Sequence, residues 1–189
     1  MSERLRILVA EDETIIRLGL RTMLTQMGHE VLLAANGRDA LNLVRAAHPD
    51  LALLDIRMPL TDGLEAARVI ARKHPMPILI LTAYSDRELI DRAAELPIQG
   101  YLIKPVDERD LAAAITVAHR RFAEAQAATR QLAELQETLE TRKLIERAKG
   151  VLMQRGHSED EAYHWLQRRA REERLSMRQV AEAVLAEVR

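Results

Sequence analysis

Short apolar runs and amphipathic stretches alternate through the first two thirds of the chain. The apolar runs fall near residues 5–10, 30–35, 50–55, 77–82 and 99–103. Runs of this length, bounded by turn residues, predict buried strands. The stretches near 13–27, 37–47, 63–74 and 86–95, with a fifth from 107, predict helices. Gly28, Gly37, Pro49, Pro59, Gly63, Pro75, Pro77, Pro97 and Gly100 fall at or between these borders. Ser85-Asp86-Arg87-Glu88 has capping-box spacing at a helix start. Strands alternating with helices predict right-handed βαβ units and a five-stranded parallel sheet covered on both faces.

The pattern changes after residue 107. No glycine or proline interrupts the chain before Gly150, and alanine, leucine, glutamate and glutamine dominate. One long helix, or two in sequence, follows from that composition. Ala125, Ala128, Leu132, Leu135 and Leu139 step by three and four residues, an a/d seam of about two heptads. Such a seam fits either a dimeric coiled coil or a helix packed on its own domain. Residues 142–189 predict three helices with apolar stripes Ile145/Ala148/Leu152, Ala162/Leu166/Ala170 and Val180/Val184/Val188. Gly156 ends the first, and Ser158-Glu159-Asp160-Glu161 and Ser176-Met177-Arg178-Gln179 have capping-box form at the next two starts. The expected organisation is therefore 1–122, a helical linker at 123–141, and a small all-α domain at 142–189.

Composition narrows the chemistry. The absence of cysteine excludes disulfides, thiolate metal sites and cysteine catalysis. The apolar runs are too short to span a bilayer, and the N-terminus lacks a signal-peptide apolar core, so a cytoplasmic protein is expected. Charge is unevenly placed: residues 142–189 carry 11 basic and eight acidic side chains, whereas 123–141 carry one basic and four acidic. A modestly basic C-terminal segment is compatible with nucleic acid and equally with a solvated helical surface.

The expected strands end in reactive side chains. Ile7-Leu8-Val9-Ala10 runs into Glu11-Asp12, and Leu51-Ala52-Leu53-Leu54 into Asp55. Ile78-Leu79-Ile80-Leu81 ends in Thr82, and Tyr101-Leu102-Ile103 in Lys104-Pro105. Ligands of open α/β sheets bind at the carboxyl ends of strands. Grouped carboxylates repel unless a cation neutralises them, and Mg²⁺ takes oxygen ligands of this kind. Asp55 is then placed to act as a nucleophile toward phosphorus, with Lys104 offsetting phosphoryl charge and Thr82 donating a hydrogen bond.

On these motifs, in this order, residues 1–122 resemble the receiver domain of two-component response regulators, a flavodoxin-like fold. The resemblance implies that Asp55 takes a phosphoryl group from a histidine kinase. It implies that Asp12, Asp55 and the Arg57 backbone carbonyl hold Mg²⁺, with Glu11 bound through water. Tyr101 matches the family's switch aromatic, turning inward as Thr82 moves toward the phosphoryl group. Two features depart from or qualify the pattern. Glu95-Leu96-Pro97-Ile98-Gln99-Gly100 replaces the usual Gly-Ala pair before the last strand. Arg57 and Tyr84 are bulky flanking residues expected to shield an acyl phosphate from water. No further substrate pocket is legible, so the expected chemistry is confined to self-phosphorylation and self-dephosphorylation of a signalling protein.

In the tail, Ala148-Lys149-Gly150-Val151-Leu152-Met153, Glu159-Asp160-Glu161-Ala162-Tyr163, and then Leu166, Ala170, Val180 and Ala181 resemble the ANTAR domain. That resemblance implies a three-helix module that binds paired RNA hairpins and prevents a transcription terminator from forming. Lys149, Arg168 and Arg169 are the expected phosphate contacts and Tyr163 a stacking residue, although Tyr163 lies beside the core stripe. Trp165 is expected to pack against the first domain or the long helix. A DNA-binding helix-turn-helix and a protein-binding adaptor remain as alternatives. A homodimer formed on phosphorylation through 125–139 is one expected route from Asp55 to the tail; release of the tail is the other.

Overall fold

The computed structural model describes residues 4–83 and 96–187. The helix expected at 86–95, its Ser85 capping box, Tyr84 and Val188 lie outside the described residues. The chain divides into two compact units, Met1–Ala125 and Gln126–Arg189.

Five strands form the sheet of the first unit: β1 (Arg6–Ala10), β2 (Glu30–Ala34), β3 (Leu51–Asp55), β4 (Ile78–Thr82) and β5 (Gly100–Ile103). All pairings are parallel, in the order β2-β1-β3-β4-β5. The helices are α1 (Thr14–Gln26), α2 (Gly37–Ala47), α3 (Gly63–Lys73) and the start of α4 (Glu108–Gln154). Period-two geometry explains the two apolar layers. Leu8, Ala10, Ala52, Leu54, Ile78 and Ile80 meet Ala40, Val44, Leu64, Ala67 and Ile70 from α2 and α3. Ile7, Val9, Leu51, Leu53, Leu79 and Leu81 meet Leu20 and Leu24 of α1 and Leu111, Ile115 and Ala118 of α4. Strands buried on both faces are the reason their sequences read as unbroken apolar runs rather than alternating ones.

The order β2-β1-β3 places the switch in strand progression beside β1 and β3, whose carboxyl ends carry Glu11-Asp12 and Asp55. Ligand sites of doubly wound sheets form at such a switch. Local devices fix the surrounding loops. Asn36 and Asp62 cap α2 and α3, accepting from the backbone N–H groups of Asp39 and Glu65.

The long stretch after residue 107 is one 47-residue helix. At 1.5 Å per residue it runs about 70 Å. The boundary between the two compact units falls inside this helix. The second unit holds the end of α4 with α5 (Glu159–Glu173) and α6 (Met177–Ala186). Its core is Ala148, Leu152, Ala162, Leu166, Val180, Ala181 and Val184, with Ile145 and Ala170 half-buried at the margin. Both expected capping boxes form: Ser158 exchanges hydrogen bonds with Glu161, and Ser176 with Gln179. Trp165, expected against the first domain or the long helix, packs at the edge of this three-helix core.

Candidate functional site

Parallel register brings the reactive side chains together. The ladder continues one step past the strands: Glu11 N–H donates to Ala34, Ile56 N–H to Leu81, and Lys104 N–H to the Thr82 carbonyl at 2.8 Å. Each bond holds a strand-end residue beside its neighbour. Lys104 Nζ lies 2.6 Å from Glu11 Oε2 and 2.9 Å from Asp55 Oδ1. Glu11, Asp55 and Thr82 are buried, while Asp12 is exposed at the rim. Carboxylate oxygens of Glu11, Asp12 and Asp55 lie within 4.8 Å of one another. Thr82 turns its hydroxyl to the Ala83 carbonyl at 3.2 Å. The Lys104–Pro105 peptide bond is cis.

Burial is the largest influence on the titration of this cluster. It pushes the Asp55 carboxyl above the ordinary carboxylate range, against the lowering pull of Lys104 and with a raising push from Asp12. Glu11 is raised for the same first reason, again opposed by Lys104 and aided by Asp55. Burial pulls the Lys104 ammonium down, but its close contacts with Glu11 and Asp55 outweigh that, and its pKa stands above the ordinary lysine value.

Two carboxylates contact one ammonium, and a third lies beside them. Glu11 Oε2 is buried and, despite its short ion-pair distance, makes no aligned hydrogen bond among the described residues. A buried acceptor without an aligned donor and an excess of negative charge fit an additional cation. The oxygen-only donor set can hold a hard divalent ion.

Two supporting residues escaped the sequence reading. Gly63 opens α3, where a Cβ would run into the Asp55 carbonyl oxygen and crowd its carbon. Its N–H donates to Ile56 at 3.0 Å, so α3 begins directly against the backbone that carries Asp55. Helix punctuation was visible in Gly63; the close approach is a tertiary fact. Arg17 donates from Nη1 to the carbonyls of Glu11 and Asp12 and from Nη2 to Thr14, fixing the acidic loop. A lone arginine in an amphipathic helix gave no such signal.

Two further expected site residues are exposed. Arg57 lies just past β3, two residues after Asp55. Tyr101 is 53% exposed on the last strand, so its ring lies outward in this conformation.

In the C-terminal unit, Tyr163 and Arg168 are exposed on α5, but Lys149 and Arg169 are engaged. Lys149 is buried at the end of α4, its ammonium 2.7 Å from Glu159 and 3.1 Å from Glu146. The hydrogen bonds it donates to Glu159 and then to Glu146 raise its pKa. Arg169 bonds Glu173 at 2.8 Å, reaches Glu187 at 3.5 Å, and lies 5.1 Å from the Trp165 ring centre. Both cations are already partnered inside their own fold.

Comparison with known proteins agrees with this division. The response regulator receiver domain matches residues 7–116, and the ANTAR domain matches residues 133–185. Transcriptional regulatory protein PdtaR of Mycobacterium tuberculosis is 45% identical over 182 residues, covering 95% of this chain and 89% of that protein. Transcriptional regulatory protein AfsQ1 of Streptomyces coelicolor is 41% identical over 115 residues, 61% of this chain and 51% of that protein. Among solved structures, a receiver domain of a modulated diguanylate cyclase from Desulfovibrio desulfuricans superposes with a TM-score of 0.62 at 31% identity. It covers 65% of this chain and 99% of its own. The receiver domain of the sensor histidine kinase PA1611 from Pseudomonas aeruginosa, with magnesium in its active-site cleft, gives 0.58 at 27% identity, covering 62% and 98%. The sheet order, the acidic cleft and the two domain matches converge: this chain belongs to the response regulators that join a receiver domain to a C-terminal ANTAR domain.

Proposed function

We propose that Asp55 is the phosphoacceptor and that its phosphorylation by a sensor histidine kinase controls RNA binding by the C-terminal unit, with transcription antitermination as the output. The observation that carries the first half is the convergence of Asp55 and Glu11 on Lys104, with Asp12 grouped beside the two carboxylates and Thr82 at the neighbouring strand end. An Asp55 carboxylate oxygen attacks the phosphorus of a kinase phosphohistidine. A P–O bond forms, the P–N bond breaks, and the imidazole nitrogen keeps the electron pair. Lys104 already touches Asp55 and offsets charge on the arriving phosphoryl oxygens. Thr82 is buried one step past the β4 partner of Asp55 and supplies a hydroxyl that can donate to the phosphoryl group. Glu11, Asp12, Asp55 and the Arg57 carbonyl would hold Mg²⁺, which when bound supplies further charge neutralisation. Tyr101 would turn inward as the switch residue.

The second half is supported by the ANTAR match over residues 133–185 and by the relative named as a transcriptional regulator. Leu132, Leu135 and Leu139 are each more than half exposed along α4, a seam that a second copy of the chain would cover on phosphorylation. One experiment tests acceptor and coupling together. Phosphate-affinity electrophoresis after treatment with acetyl phosphate and Mg²⁺ shifts wild type and leaves Asp55→Ala unshifted. Light scattering of the same samples reports a doubled mass only for wild type. A shifted Asp55→Ala band sinks the acceptor assignment, and an unchanged mass sinks the dimer.

A further inference from the structure

The described cations of residues 142–187 fall into two groups. Lys143, Lys149, Arg155, Arg169 and Arg178 each contact a carboxylate of the same unit. Arg142, Arg147, Arg168, Arg171 and Arg174 have no ion pair among the described residues and are exposed. Three of the five stand on α5 or at its C-cap. Helical spacing puts His164, Arg168 and Arg171 on one line, at i, i+4 and i+7. Ala162 and Leu166, which are fully buried, face the opposite way. Tyr163 and Gln167 lie on the flank of that line, and Tyr163 is 41% exposed.

Two aromatic rings stand in this stripe. Tyr163 and His164 have centroids 6.4 Å apart at an interplanar angle of 84°. His164 is also held by a 2.8 Å contact between its Nδ1 and the Asp160 carbonyl. Asp160 and Glu172 are the acids beside this line; Glu161 is turned into the Ser158 cap and Glu173 onto Arg169. A helix dipole favours cations in a last turn, which accounts for Arg171, but it gives no reason for Arg168 further back.

We infer that the outer face of α5, with Tyr163 and His164 as a stacking platform and Arg168 and Arg171 as phosphate contacts, is the surface that receives unpaired loop bases of RNA. This rests on the RNA-binding reading proposed above and assigns its contacts. Sequence-specific RNA readers stack splayed bases on aromatic rings and arginine planes, and single strands are held by cations beside aromatics. A duplex, with its bases stacked internally, would leave Tyr163 unused. Lys149 and Arg169 become positioning residues: Lys149 ties the end of α4 to the first turn of α5 through Glu159, and Arg169 ties α5 to Glu187 after α6.

The test uses the full chain, treated with acetyl phosphate and Mg²⁺, irradiated with total RNA from its own cells. Mass spectrometry of the nucleotide-bearing peptides is expected to place the crosslink within residues 160–171. The recovered RNA then serves as the anisotropy probe at one fixed salt concentration. Arg168→Ala/Arg171→Ala is expected to bind at least tenfold more weakly, with a shallower dependence on salt. Tyr163→Ala loses roughly tenfold and Tyr163→Phe keeps wild-type affinity, since the ring and not the hydroxyl is used. Unchanged circular-dichroism melts identify the folded variants, and the crosslink position stands independently of them. Arg142→Ala/Arg147→Ala removes the same charge from α4 and is expected to bind nearly as wild type. Crosslinks confined to α4 or α6, equal losses in the two double variants, or full binding by Arg168→Ala/Arg171→Ala overturn the α5 surface while leaving RNA binding intact. A wild-type chain that neither crosslinks nor binds RNA overturns the RNA reading and this surface with it.

Discussion

The two units use charge in opposite ways. In the receiver, four strand ends converge, so Glu11, Asp55, Thr82 and Lys104 are withdrawn from water into one cluster. In the C-terminal unit, nearly every charged group stays at the surface, and Lys149 is the buried exception among the described residues. Their cores differ in the same sense. The receiver has two apolar layers built on a sheet, whereas the ANTAR unit has seven buried apolar residues among those described, none larger than leucine. A deep core can sustain an electrostatically costly point site. A thin core cannot, and it presents its polar residues over an extended surface instead.

The largest test of this contrast truncates one fully buried leucine in each unit. Leu53 and Leu166 both have no exposed surface. Removal of a buried leucine side chain costs about 2–5 kcal/mol. Calorimetry of the full chain should show Leu53→Ala as a lowered receiver transition that persists. Leu166→Ala should abolish the C-terminal transition while phosphorylation of Asp55 continues. Equal shifts in both would break the contrast.

A smaller effect concerns pH and Mg²⁺. Because the folded Asp55 and Glu11 values are raised, their ionisation costs the fold stability. That cost is absent below the ordinary carboxylate range and grows as pH rises through the raised values. Mg²⁺ at ten times its dissociation constant at pH 7.5 should therefore stabilise the receiver by about 1.4 kcal/mol at that pH, and by less at pH 5. Asp12→Ala should lose most of that response, and the C-terminal transition should not move. A Mg²⁺ shift independent of pH would remove the carboxylate explanation. Smallest is the loss of one cap: Ser158→Ala should cost the C-terminal unit about 1 kcal/mol and leave the receiver unaffected, as read by their separate midpoints.

The receiver was legible because its strands are buried on both faces. Apolar runs mark their lengths, and their polar ends mark the cleft, so the strand borders differ from the structure by only a residue. Parallel register, which brings Lys104 to both Glu11 and Asp55, follows once the βαβ order is known. The C-terminal helices were legible through their capping serines. Contacts between distant segments were not. A lysine in a polar helix reads as solvated, and the Glu159 that holds Lys149 lies ten residues away across a turn. Arg169 stacking beside Trp165 was equally invisible, because neither residue type implies the other. Gly63 showed its place at a helix border but not the backbone it abuts.

The middle of α4 has a consequence for amide hydrogen exchange. Every residue from 127 to 140 is exposed, whereas the helix packs at Leu111, Ile115 and Ala118 before that stretch and at Ala148 and Leu152 after it. Helix nucleation is costly and propagation is cheap, so the packed ends supply the nuclei and the middle only extends them. Its backbone bonds can open and reclose without disturbing either core. Protection along this single helix should fall from each packed end to a minimum near Leu135, and burial of the leucine seam by a second chain would lift that minimum first.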